Sequence, residues 1–265
     1  SEHAEKILRD VWGPLTDKGI PLIVTDFATA ELVKVAANSF LATKISFINA
    51  MAEICETTGA DVTQLAAALA LDSRIGGRFL HAGLGFGGGC LPKDIRAFMA
   101  RAEELGVDQA VGFLREVDAI NQRRRARMVD LAREQVGGDF TGKRVGVLGA
   151  AFKPNSDDTR DSPALDVATS VQRAGAVVTV FDPQAMANAK LKYPDLGYAG
   201  STVEACAGAD VVLHLTEWQE FRDLDPATLS DVVAKRHIVD GRNALDPRRW
   251  RDAGWTFRAL GRPST

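Results

Sequence analysis

The sequence predicts an α/β protein in which an all-helical domain is followed by a doubly wound parallel sheet. Three observations predict it. The run from Ala28 to Thr58 contains neither Pro nor Gly, and the first Gly after it is Gly59. Residues 143–265 instead carry four short, continuous apolar runs, the first three separated by helical stretches. Gly137-Gly138 and the polar residues after it divide the two patterns. Strands that are apolar throughout and alternate with helices are buried on both faces, as in a parallel sheet covered by its crossovers.

Residues 1–27 read as the tail of something larger. Ala4 to Trp12 predicts a helix, Gly13-Pro14 a break, and Ile20 to Thr25 a short strand. One helix and one strand cannot bury a core, so they are expected to complete a domain that is absent here. The helix predicted over 28–58 is about 45 Å long at 1.5 Å per residue. It is apolar on most sides, which suits broad burial and a subunit interface. Asp61 with Gln64 predicts a capped start for the next helix, through Leu71. A glycine-rich loop, residues 76–90, follows. Pro92 then opens a helix that stops at Gly106, and Asp108 to Gln135 predicts another. Strands are predicted at Arg144–Leu148, Val177–Phe181, Val211–Leu215 and His237–Val239, with a helix over Pro163–Ala174 capped by Ser162.

The composition is that of a folded globular protein: 265 residues, 46% hydrophobic, 25% charged, net charge −3. Nothing in that balance advertises nucleic acid or an anionic membrane, and no apolar run reaches the roughly 20 residues that span a bilayer. Three cysteines make no disulfide framework, which suggests a reducing compartment. The basic run Gln122 to Arg127 is expected to be a solvated helix face. The four histidines show no metal-ligand spacing.

Cys90 is the strongest chemical candidate. It follows three glycines and precedes Leu91-Pro92, so it stands at a helix N-terminus, where partial positive charge favours thiolate. Glycines let substrate and backbone approach. Asp94, four residues on, projects from the same face. Cys55 and Cys206 read as buried structural thiols. Lys34 and Asn38 share a face of the long helix and need partners there; a helix–helix hydrogen bond serves as well as a catalytic one. Gly149 after the first strand permits a tight turn toward a phosphate or base, but Leu148 stands where the dinucleotide fingerprint needs Gly. That argues against NAD on this sheet and leaves a mononucleotide diphosphate. Arg160 suits an anion clamp or a salt-bridged loop. Arg242, just past the last predicted strand, suits a phosphate or a structural pair with Asp240.

The run Gly85-Phe86-Gly87-Gly88-Gly89-Cys90-Leu91-Pro92-Lys93-Asp94 resembles the active-site signature of the UDP-glucose/GDP-mannose dehydrogenase family. So do Glu31–Asn38, Asp72–Gly76, Ala151–Pro163, Thr216–Phe221 and Asp240–Asn243. The resemblance covers essentially the whole chain in order and is closest to the UDP-glucose branch. It implies three parts: 1–27, the tail of a missing NAD-binding domain; 28–137, a helical domain that dimerises through its long helix; and 138–265, a Rossmann-like UDP-binding domain. It implies a cytoplasmic enzyme that oxidises UDP-glucose twice with NAD, the main NAD site lying outside this chain. Cys90 matches the nucleophile, Lys34 an oxyanion stabiliser, Asn38 its water- or hydroxyl-binding partner, and Asp94 a carboxylate that activates water. His81, Gly85, Phe86 and Gly87 match sugar and diphosphate contacts. Phe152 and Lys153 match uridine contacts, Arg242 a UDP contact, and Arg74 an arginine reaching the neighbouring subunit's sugar. Lys93 and Arg160 match positions lining NAD. A fragment lacking the front is expected to bind UDP-sugar weakly and without turnover. GDP-mannose or UDP-N-acetylmannosamine oxidation, or a non-enzymatic nucleotide-binding dimerisation module, are the alternatives.

Overall fold

The computed structural model describes residues 1–263. Contacts divide the chain into a first unit, residues 1–37, and a second from Asn38 onward.

In the first unit, α1 (Glu2–Thr16) is capped by the Ser1 hydroxyl, which accepts from Ala4 N at 3.3 Å. The expected break at Gly13-Pro14 does not occur. Helix α1 continues through Pro14, which lies in its last turn. Residues 20–25 form no strand, contrary to expectation. Pro21 has no N–H to give a ladder. Helix α2 (Phe27–Thr58) matches the long helix predicted from 28 and runs through the division between the units.

In the second unit, α3 (Val62–Ala70) is capped by Asp61, which accepts from Thr63 N. Helix α4 (Leu91–Glu104) follows the glycine loop. The helix expected over 108–135 is broken at Gly112, a poor helix former, into a 3-10 turn (Asp108–Val111) and α5 (Phe113–Gln135). The basic run on α5 is not a solvated face. Arg124 is 1% exposed and Arg125 6%, because carboxylates from elsewhere reach them: Glu56 at Arg124, and Asp161 and Asp166 at Arg125.

The sheet comprises β1 (Arg144–Leu148), β2 (Val177–Phe181), β3 (Gly197–Tyr198), β4 (Val211–His214), β5 (His237–Asp240) and β6 (Thr256–Ala259). All pairings are parallel, in the order β3-β2-β1-β4-β5-β6. The connections hold α6 (Pro163–Arg173), α7 (Met186–Lys192), α8 (Thr202–Cys206), α9 (Gln219–Asp223), α10 (Pro226–Ser230) and α11 (Pro247–Asp252). The four expected strands are present. The two that were not expected are at the sheet's edges: β3 has two residues, and β6 alternates exposed and buried positions. The strand order reverses between β1 and β4, the switch point where open α/β sheets take their ligands, at the strands' carboxyl ends. Helix α5 packs against β4 and β5, so the last helix of the helical part also covers the sheet.

Candidate active site

Cys90 stands at the N-cap of α4 without a side-chain capping bond, and its residue is exposed. Cys55 and Cys206 are buried. Burial pushes the Cys206 thiol up to about 12 and raises Cys55 as well. Asp94, in the first turn of α4, is buried. Its Oδ2 accepts from Asn38 Nδ2 on α2 at 2.6 Å, and Lys93 Nζ lies 3.3 Å from its Oδ1. The structure thus brings together Cys90, Lys93, Asp94 and Asn38. Lys34 lies in the first unit, four residues before Asn38 in sequence.

In the loop before Cys90, groups from other segments occupy the space of the missing side chains: backbone at Gly87, and side chains at Gly85, Gly88 and Gly89. A Cβ on Gly87 would collide with the carbonyl of Asp161 and with Pro163; one on Gly88 would stand 2.7 Å from the Phe152 ring. One on Gly89 would stand 2.7 Å from the Arg160 guanidinium, and Gly85 at φ +85 faces Asn121. Gly88 N donates to Arg160 O at 3.0 Å. Residues 152–163, which leave the end of β1, therefore lie directly on the glycine loop. That places Phe152 and Arg160 next to it. Lys153 Nζ stacks over the Phe152 ring at 5.4 Å. Arg160 is forked onto Asp158 by three bonds of 2.8–3.1 Å, and this fork holds the Asp158 carboxyl below its usual range.

Arg242, after β5, joins three segments. Its Nε donates to Leu215 O at 2.7 Å, Nη1 to Gly85 O at 3.0 Å and Nη2 to Phe152 O at 3.4 Å; Glu217 lies 3.3 Å from Nε. The alternative reading of Arg242, a side-chain pair with Asp240, is not what forms. Asp240 accepts Arg242's backbone N–H at 2.9 Å, and its carboxylate faces His214 on β4 at 2.8 Å. Burial pushes the Asp240 carboxyl up, but the His214 ring and the N–H groups of Leu245 and Arg242 outweigh it and hold it below the ordinary range. A cleft of about 330 Å³ lies beside Arg242, lined also by His81, Gly85, Glu217 and Phe79. Arg74 stands at the surface, forked onto its neighbour Asp72.

Sequence reasoning missed several residues. Asn121 on α5 clamps Phe86 both ways: Oδ1 accepts its N–H at 2.8 Å and Nδ2 donates to its carbonyl at 2.9 Å. Asn49 on α2 accepts Gly83 N at 2.9 Å. Asp182, just past β2, accepts Ala150 N at 2.7 Å, Ala151 N at 2.9 Å and Trp218 Nε1 at 3.0 Å. Those two amides follow β1, where a dinucleotide fold presents N–H groups to pyrophosphate; here a protein carboxylate has them. Only the aspartate after the second strand could have signalled this. Among the described residues no group of three His, Cys, Asp or Glu could hold a metal ion, and no helix is long and apolar enough to cross a membrane.

Two family models match: the central domain of the UDP-glucose/GDP-mannose dehydrogenase family over residues 28–123, and that family's UDP-binding domain over 146–247. A UDP-glucose 6-dehydrogenase of Rickettsia typhi is 40% identical over 263 residues, 98% of this chain and 60% of that protein. A UDP-glucose dehydrogenase structure from Pyrobaculum islandicum superposes with TM-score 0.84 at 34% identity, covering 99% of this chain and 57% of that one. A UDP-D-ManNAc dehydrogenase from Pyrococcus horikoshii gives 0.76 at 27%, covering 91% and 54%. The chain thus spans about 60% of the curated relative's length.

Proposed function

Because the chain belongs to the UDP-glucose/GDP-mannose dehydrogenase family, we propose that it is the substrate-handling part of an enzyme that oxidises C6 of UDP-glucose to the carboxylate of UDP-glucuronate. The observation that carries this reading is the exposed Cys90 at the start of α4, with Asp94 held beside it by Asn38. Carrying an alcohol to an acid passes through an aldehyde, which escapes unless it is held. Cys90 Sγ adds to the aldehyde carbon, and the thiohemiacetal and then the thioester keep that carbon on the protein. Water attacks the thioester, releasing the carboxylate and returning the thiol. Asp94 orients that water as a general base, and Asn38 fixes the carboxylate.

NAD, when bound, supplies the hydride acceptor for both oxidations. Lys93 and Arg160, largely exposed at the glycine loop, have the charge and placement to hold its phosphates. The turn after β1 does not fit it, since Asp182 already holds Ala150 N and Ala151 N. The main NAD site in this reading lies outside these residues. The uridine falls to Phe152 and Lys153. The diphosphate falls to the cleft of Arg242 and His81, alongside Gly85 to Gly87. Arg74 serves the site of a second subunit. Exposed Phe40, Phe47 and Ile54 on α2 support a homodimer, and a nucleophilic thiol suits the reducing cytoplasm.

Alkylation of Cys90 with and without UDP-glucose tests the reading. Protection by UDP-glucose at concentrations where glucose gives none is expected, and equal rates would sink it. The Pyrococcus horikoshii likeness keeps a UDP-D-ManNAc substrate as the second reading. NADH formation by the longer protein from UDP-glucose, UDP-D-ManNAc and GDP-mannose separates them. NADH formation by this chain alone would overturn the placement of the NAD site outside it.

A further inference from the structure

We propose that Asp161 and Arg125 are positioning residues that register the nucleotide-side loop, residues 152–163, on the loop that carries Cys90. The functional half of this inference rests on the reading of Cys90 given above.

The structural half stands on a closed circuit of contacts. Asp161 has φ +44, the left-handed region that side chains seldom adopt. That conformation lays its carbonyl against Gly87, one residue beyond the Arg160 carbonyl that accepts Gly88 N at 3.0 Å. It also aims the carboxylate at α5, where Oδ1 accepts from Arg125 Nη1 at 2.9 Å. Arg125 Nη2 donates to Phe86 O at 3.2 Å, the carbonyl that Asn121 also holds. The circuit runs Phe86, Arg125, Asp161, Gly87. Asp166 lies 3.3 Å from Arg125, and Arg96 of α4 reaches Asp161 at 3.8 Å. A buried guanidinium and a left-handed aspartate are both unfavourable alone. Here both fall at one joint, three to four residues from the nucleophile. A joint that served stability alone has no need to meet the loop on both its peptide edges. This one fixes Phe86 O, Gly87 and Gly88 together, and so fixes where Cys90 stands relative to Phe152 and Arg160.

Three variants test it. Asp161→Asn keeps shape and tolerance of positive φ but removes the charge. Asp161→Gly relieves the backbone and removes the carboxylate. Arg125→Lys keeps the charge but replaces the two separated, coplanar nitrogens that reach Asp161 and Phe86 O by a single one. All three are expected to raise amide exchange in residues 85–90 by about tenfold or more, while β1 and β4 keep their protection. Protection of Cys90 by UDP-glucose is expected to fall by about fivefold, with affinity for UDP alone within about twofold. Unchanged exchange at 85–90 overturns the registration, and so does a loss spread evenly over the sheet. Wild-type behaviour of Asp161→Gly assigns the effect to backbone alone and overturns the carboxylate's part. Failure of UDP-glucose to protect Cys90 in the unaltered chain overturns the functional half, while the exchange data still decide the structural half.

Discussion

Asn38 Nδ2 meets Asp94 Oδ2 at 2.6 Å, joining α2 to the helix that Cys90 begins, across 56 residues of sequence. The bond is to a buried carboxylate, so its loss leaves that charge short of a donor. Asn38→Ala is expected to destabilise the fold by about 1–3 kcal/mol in urea unfolding at neutral pH. Asn38→Asp is expected to be worse at pH 7 and to recover toward pH 5, because two carboxylates in contact share a proton as it becomes available. Equal stability of Asn38→Asp at both pH values would show that Asp94 is not held as described.

The three thiols are expected to separate cleanly. A thiol near 12 is about one part in ten thousand ionised at pH 8, and Cys206 is pushed there by burial. Cys55 is raised by burial and by Asp61 and Glu56. Cys90 is the exposed one. Iodoacetamide at neutral pH followed by peptide mass mapping is expected to label Cys90 first. Labelling of Cys55 at the same rate would mean that the α2 core opens freely.

Much of the fold was legible, because long helices and continuous apolar strands are written in local periodicity. Cys90, its glycines and Ser162 as a cap could be read the same way. What could not be read is what arrives from far along the chain. Nothing near Arg124 and Arg125 shows that Glu56 and Asp161 will bury them. Nothing near Ala150 shows that Asp182 will take its N–H. Edge strands β3 and β6 were lost because short or alternating runs carry little signal alone. The strand expected at Ile20–Thr25 did not form although its apolar residues carry local strand propensity, so propensity alone misled there.

Two glycines separate conformation from space. Gly59 has φ +77 with nothing near its missing Cβ, so Gly59→Ala is expected to cost about 1 kcal/mol through backbone strain alone. Gly87 has an ordinary φ, but its Cβ would run into Asp161 O and Pro163. Gly87→Ala must push two loops apart, and about 2–4 kcal/mol is expected. Denaturant midpoints compare the two, and Gly87→Ala no worse than Gly59→Ala would refute the close approach.

Acid should weaken the turn that holds Arg242. Asp240 is held below its ordinary range when folded. It therefore contributes stability at pH values above the unfolded carboxylate range, near 4. That contribution is lost as pH falls through the lower folded value. Asp240→Asn is expected to be less stable at pH 7 and to show a shallower fall below about pH 4 than the unaltered chain. An identical acid limb in both proteins would place the native carboxyl in its ordinary range.

Phe40, Phe47 and Ile54 are 67%, 48% and 54% exposed, and they recur every seven residues along α2. Residues seven apart lie on one side of a helix, so the three form a single stripe, the spacing of helices that pack lengthwise. Large exposed side chains in one line mark an interaction surface more often than scattered ones. Ser39, Ser46 and Asn49 on the same helix are buried, and Ser46 and Asn49 bond Val117 O and Gly83 N, so that side of α2 faces its own chain. A charge in the stripe would be desolvated by a partner but left in water in a monomer. Phe47→Glu is therefore expected to convert a dimer to a monomer in sedimentation velocity while leaving the helical circular dichroism intact. An unaltered chain that sediments as a monomer at micromolar concentration, or a Phe47→Glu protein that stays dimeric, would remove α2 as the interface.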